Sequence, residues 1–136
     1  MAVIQYVGVR ISYLMKSEAF VWPMSVIYRA LGGIPVQRFE KSDIILQSAD
    51  WLRSQDTAWL AMSPEGTRKK TKKWKTGFLR IAKAADVPIL VVGIDAAKKQ
   101  IVVDSLVCAE GDITAQAEKL KAHMDKHYTG FKPENQ

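Results

Sequence analysis

Two stretches of this sequence carry the residue types that bind phosphate. The string Ser63-Pro64-Glu65-Gly66-Thr67-Arg68 follows an apolar run over 57–62. Gly66 allows the backbone to turn sharply or approach a ligand closely, and Arg68 offers a planar fork of donors matched to phosphate oxygens. Glu65, an anion beside cations, is suited to orient an arginine, a backbone amide or a substrate hydroxyl rather than to touch phosphate. Upstream, Gly33-Ile34-Pro35-Val36-Gln37-Arg38 supplies a second arginine. Each stretch also has a plain explanation: a solvated turn for 63–68, and for Arg38 a surface arginine whose stem packs on a sheet.

A basic run continues from there through Lys69, Lys70, Lys72, Lys73 and Lys75, with Trp74 among them. Such a run is a solvated loop unless it meets an anion: a lipid headgroup, the phosphates of coenzyme A or an acidic carrier, or a nucleic-acid backbone. Near an anionic membrane each basic residue contributes about 1 kcal/mol, and tryptophan prefers headgroup depth. Nucleic acid calls for a broader basic face and a reading element. Neither is present, so nucleic acid is not expected. His123 and His127, one helical turn apart, have the spacing to share a metal. They stand among Lys119, Lys121 and Lys126 without further ligands, so exposed helix histidines and no metal are expected. The single cysteine, Cys108, reads as a small apolar filler beside a strand.

The elements that would hold these residues alternate in type. Residues 9–15 read as a strand and 17–31 as a helix that Pro23 interrupts or restarts. Gly32-Gly33 stops the helix. A short strand over 34–37 leads to Arg38. A helix is expected over 41–55, a buried strand over 57–62, the loop over 63–75 and a helix over 76–85. The run Val-Pro-Ile-Leu-Val-Val-Gly-Ile over 87–94 is continuously apolar, as suits a strand covered on both faces of a parallel sheet. Another strand is expected over 100–106. Asp112 caps a last helix with an apolar stripe of Ile113, Ala117, Leu120 and Met124. The alternation predicts an α/β fold with a mixed, largely parallel sheet flanked by helices. In open sheets of that kind, ligands sit beyond the carboxyl ends of the strands, where Ser63 to Arg68 falls. The apolar positions Phe20, Val21, Trp22, Met24, Val26, Ile27 and Tyr28 run nearly all round the first helix. A core helix is the first expectation, and a membrane- or acyl-facing one the alternative.

The 136 residues, 48% hydrophobic and 25% charged, suit one globular domain over 1–136 with a loose polar tail over 129–136. The net charge of +6 favours anionic partners. One cysteine excludes an intrachain disulfide and fits a reducing compartment. No secretory leader or membrane-spanning run is read. A cytoplasmic protein is expected, in peripheral contact with the inner membrane face if the basic run meets lipid.

Pro-Glu-Gly-Thr-Arg after an apolar strand resembles the signature block of the lysophospholipid (1-acylglycerol-3-phosphate) acyltransferase family. The stretch Gly33 to Arg38 resembles that family's upstream block, and Val87-Pro88-Ile89-Leu90-Val91-Val92 its downstream apolar block. The resemblance covers residues 9–95. It implies a glycerol-3-phosphate acyltransferase-like fold and O-acyl transfer from acyl-CoA or acyl-carrier protein to a lysophospholipid or glycerol-phosphate acceptor, as in phospholipid biosynthesis. By the same resemblance Arg38 and Arg68 hold the acceptor phosphate, and Glu65, Gly66 and Thr67 shape the pocket. Lys69, Lys70, Lys72, Lys73, Trp74 and Lys75 are candidates for membrane or donor contact. No cofactor beyond the acyl donor is implied.

The family's His-x-x-x-x-Asp block, its general base and orienter, should precede Gly33. The chain has two histidines, His123 and His127, and Tyr128 and Lys132 stand five positions after them. No catalytic residue is therefore assigned. The resemblance implies a domain incomplete at its amino-terminal side, through a shifted gene start or as a natural fragment. Such a chain is expected to be weakly active or inactive alone, or to bind phosphate or anionic lipid without catalysis.

Overall fold

The computed structural model describes residues 11–37, 41–66 and 71–129. Its elements mix strands and helices, as the alternation of apolar patterns predicts. The chain divides into two compact units, Met1–Met62 and Ser63–Gln136.

In the first unit, β1 (Ile11–Lys16) is the middle strand of three. It pairs in parallel with β2 (Gly33–Val36), placing Tyr13 opposite Gly33 and Lys16 opposite Val36. It also pairs in parallel with β3 (Trp59–Leu60) through Ile11 and Ser12. The expected strand over 57–62 is thus two residues long, extended by Ala61 N–H donating to the Ser12 carbonyl at 2.8 Å. The helix expected over 17–31 is split. A single 3₁₀ turn at Ser17–Ala19 is followed by α1 (Met24–Ala30), with Pro23 as its N-cap. Proline lacks the N–H that a helix interior needs, so the helix restarts there. Gly32, at φ +89°, ends it, and its Cα lies so near the Ile11 carbonyl that a Cβ would sit 2.4 Å from that oxygen. The helix α2 (Lys41–Arg53) follows. The core of this unit is small: Val36, Ala49, Ser12 and Ser48 are buried, and the Ser48 hydroxyl is satisfied by the Ile44 carbonyl at 2.6 Å.

The core-helix expectation for α1 is corrected. None of its residues is buried, and Trp22 just before it is 85% exposed, with Val21, Val26 and Ile27 exposed beside it. An all-round apolar helix carries no signal for which side, if any, is covered.

The second unit holds α3 (Gly77–Ala85), β4 (Ile89–Asp95), β5 (Gln100–Val107) and α4 (Ile113–His127). Here the expectation of a parallel strand covered on both faces fails. β4 pairs antiparallel with β5 in a two-stranded sheet, with a register shift at Val91/Val92. Val92 and Ile94 are exposed, while Gly93 between them and Asp95 after them are buried. The strand is one-sided, and its apolar outer positions disguise the alternation. Leu79, Ile81, Ala82, Ala85 and Ala117 form the core of this unit. Burying that row stabilises the unit by roughly 25 cal/mol per Å² of apolar surface.

Local capping follows the sequence closely. The Asp112 carboxylate accepts from Thr114 N–H at 2.7 Å and Ala115 N–H at 2.9 Å, satisfying orphan donors of α4. The buried Asp95 accepts Lys98 N–H and pairs with Lys98 Nζ at 3.1 Å, closing the β4–β5 turn. Cys108 is exposed just past β5, not the filler expected, because the strand has already ended. Thr129 is not loose either: its carbonyl accepts Ala96 N–H at 2.7 Å. The remainder of the expected tail lies outside the described residues.

Candidate functional site

The sheet of the first unit sets where the two candidate segments begin. Since β2 and β3 both run parallel to β1, their carboxyl ends at Val36 and Leu60 lie on the same edge of the sheet. Ligands in open α/β sheets collect at that edge. Gln47 of α2 fixes the residue before Arg38. Its amide accepts Gln37 N–H at 3.3 Å and donates to the Gln37 carbonyl at 3.3 Å. Arg38, Thr67, Arg68, Lys69 and Lys70 lie outside the described residues.

The described start of the loop is a tight turn. Gly66 has φ +61° and its N–H donates to the Ser63 carbonyl at 3.3 Å. Glu65 is exposed at the turn. Lys75 closes the loop from its far end: its N–H donates to the Pro64 carbonyl at 2.8 Å, and its side chain lies against the Gly66 backbone. A Cβ at position 66 would come within 2.7 Å of Lys75 Nζ and within 2.9 Å of its methylenes. Gly66 therefore serves two needs, a left-handed φ and room for a lysine stem. The sequence predicts the first but not the second.

Lys72 and Lys73 are exposed, and Trp74 is half-buried, its ring edge-to-face with Phe78 at 6.3 Å. Lys73 reaches Glu118 of α4 at 3.4 Å. The described part of the basic run is thus tied to α4.

One polar cluster escaped the sequence reading. Asp104 on β5 accepts from His123 Nε2 at 2.9 Å, from the Tyr128 hydroxyl and from the Ser105 hydroxyl at 2.7 Å. Chiefly the His123 bond, then those of Tyr128 and Ser105, hold the Asp104 carboxyl far below the usual carboxylate range. The same carboxylate raises the Tyr128 phenol. His127 stacks on His123 with centroids 4.4 Å apart and donates from Nδ1 to the His123 carbonyl at 2.8 Å. Both histidines are exposed, as expected, but His123 has a carboxylate partner nineteen residues earlier, a spacing no local pattern encodes. Among the described residues no group of three or more potential ligands can hold a metal.

A family model described as Acyltransferase matches residues 1–95. That span is more than half of the chain and takes in Arg38, the loop over 63–75 and all of β4. The chain belongs to the acyltransferase family. Membership supports acyl transfer as its general chemistry and leaves β5 and α4 outside the matched region. Comparison with curated proteins and with solved structures yields no match. Among the described residues of this acyltransferase-family chain, no helix is long and apolar enough to cross a membrane.

Proposed function

We propose that this acyltransferase-family chain binds an acyl acceptor that bears a phosphate, a lysophospholipid or glycerol phosphate. The observation that carries the reading is the family match over 1–95 together with the shared carboxyl edge of β2 and β3. Arg38 and Arg68 bind the phosphate bidentately, with Thr67 beside them. Gly66 gives the loop its turn, and Glu65 orients a donor or the acceptor hydroxyl. The acyl group comes from a thioester, acyl-CoA or acyl-carrier protein, and the acceptor oxygen replaces the thiolate. Phospholipid biosynthesis is the setting this chemistry fits, at the inner face of the membrane.

Residues 1–95 contain no histidine. A missing general base lowers such a rate by about 10²–10⁴-fold, so the chain alone transfers acyl groups weakly or not at all. Its measurable property is binding. An assay with lysophosphatidic acid and acyl-CoA should give little product, whereas sn-glycerol 3-phosphate should bind and lose affinity in Arg38→Ala. Rapid turnover abolished by Arg38→Ala would overturn the inactivity and keep the site. Absence of Arg38-dependent binding would overturn the site.

A further inference from the structure

His123 and His127 stand one helical turn apart on α4, outside the residues 1–95 that the family model matches. Their hydrogen bonds fix which ring nitrogen carries the proton. The Asp104 carboxylate can only accept, so His123 Nε2, 2.9 Å from it, is the protonated nitrogen of that ring. A backbone carbonyl also only accepts, so His127 Nδ1, 2.8 Å from the His123 carbonyl, is the protonated nitrogen of the second. In the neutral rings the lone pairs therefore lie on His123 Nδ1 and His127 Nε2. Neither of these has a hydrogen-bond partner among the described residues. Metal-binding histidines are held in the same way: the second ring N–H donates to a carboxylate or a backbone carbonyl, which sets tautomer and orientation.

The separation of the rings selects the kind of metal. A metal bound about 2.1 Å from a ring nitrogen lies about 3.2 Å from that ring's centre. Centroids 4.4 Å apart then subtend about 85–90° at a shared metal. Tetrahedral zinc, at about 109°, would set the centroids about 5.2 Å apart. A near-right angle belongs instead to adjacent positions of a tetragonal ion, copper(II) or nickel(II). Among the described residues no third potential ligand joins the pair, so water completes the coordination. Both rings are exposed, and an ion reaches them without any opening of the fold.

We propose that His123 and His127 chelate one tetragonal divalent transition-metal ion, copper(II) more tightly than nickel(II). His123 Nδ1 and His127 Nε2 are the ligands. Asp104 is a positioning residue that holds the His123 ring and adds a negative charge beside the ion. The site goes beyond the acyl-transfer reading and does not depend on it.

Calorimetric titration of the full chain with copper(II), nickel(II) and zinc(II), with electron paramagnetic resonance of the copper form, tests this. One copper per chain is expected, its spectrum showing coupling to two imidazole nitrogens. His127→Ala leaves the Asp104–His123 bond in place and should reduce that coupling to one nitrogen. It should also weaken copper binding by at least the roughly 10–100-fold that losing an outer partner costs. His123→Ala should do the same. Asp104→Asn keeps an acceptor but drops the charge, and should weaken binding by about tenfold with both nitrogens still coupled. Equal copper affinity in wild type and His127→Ala would overturn the chelate, since the ion would then sit elsewhere on the chain. Two chains per copper would overturn it in favour of a bridge between molecules. Zinc binding more tightly than nickel would overturn the tetragonal assignment. Wild-type affinity in Asp104→Asn would remove Asp104 from the site.

Discussion

Replacing Gly93 by alanine tests how the end of α4 is seated on the β4–β5 sheet. A Cβ at Gly93 would lie 2.8 Å from three carbons of the Tyr128 ring, closer than packed side chains approach. The ring is not free to swing away. Its hydroxyl is bonded to Asp104, its N–H donates to the Met124 carbonyl at 3.0 Å, and the Thr129 carbonyl beside it accepts Ala96 N–H at 2.7 Å. Forcing a methyl group into a filled site costs about 1–3 kcal/mol. Gly93 has no positive φ, so alanine also reduces the entropy of the unfolded chain, an offset of about 0.4–1 kcal/mol. The net expectation is destabilisation by about 1–2 kcal/mol, the steric term exceeding the entropic one. Urea unfolding followed by circular dichroism reads this as a lower midpoint with an unchanged slope. In a Tyr128→Leu background the clash is relieved, and the same substitution should be neutral or slightly stabilising, a coupling of about 1 kcal/mol or more. A neutral Gly93→Ala, or strict additivity of the two changes, would refute the packing argument.

Three further outcomes follow from the same geometry. Asp104 is held below its unfolded value of about 3.9 by His123, Tyr128 and Ser105, so its ionised form favours the fold above that pH and the contribution is lost as pH falls through the folded value. The urea midpoint of the wild type should therefore drop more steeply than that of Asp104→Asn on acidification below about pH 4, and parallel curves would contradict this. Gly32→Ala combines a left-handed φ with a Cβ 2.4 Å from the Ile11 carbonyl. It should cost about 3 kcal/mol or more, seen as loss of cooperative unfolding or of soluble expression; near-native stability would contradict it. Gln47→Ala removes both bonds to the Gln37 backbone, costing about 1 kcal/mol. It should also weaken glycerol 3-phosphate binding through Arg38, and unchanged affinity in a destabilised protein would show that Gln47 does not position that arginine.

Features that depend on neighbours in the chain were the legible ones. The Gly32 stop, the Pro23 break, the Asp112 cap and the Gly66 turn each follow from one residue's backbone chemistry. Features that depend on what lies across space were not. The apolar run over 87–94 reads equally well as a two-sided parallel strand and as the one-sided antiparallel β4. The outer face of that strand, like the exposed surface of α1, is made of residues that look like core. Asp104 meets His123 only because β5 and the end of α4 are brought together, and Lys75 meets Gly66 only because the loop closes on itself. For the candidate site, the glycine and its turn were readable from residue types, whereas the tie from Lys73 to α4 had no sequence signal.

Under the proposed function Arg68, two residues after Gly66 in the sequence, binds the phosphate of the acceptor. Calorimetric titration of the intact chain with sn-glycerol 3-phosphate tests it most directly, comparing wild type with Arg68→Ala and Arg68→Lys. Arg68→Ala should weaken binding by about tenfold or more, the loss of a bidentate charge-assisted contact. Arg68→Lys should recover only part of it, because a point charge replaces a planar fork. Wild-type affinity in both variants, or no binding in the wild type, would contradict the claim.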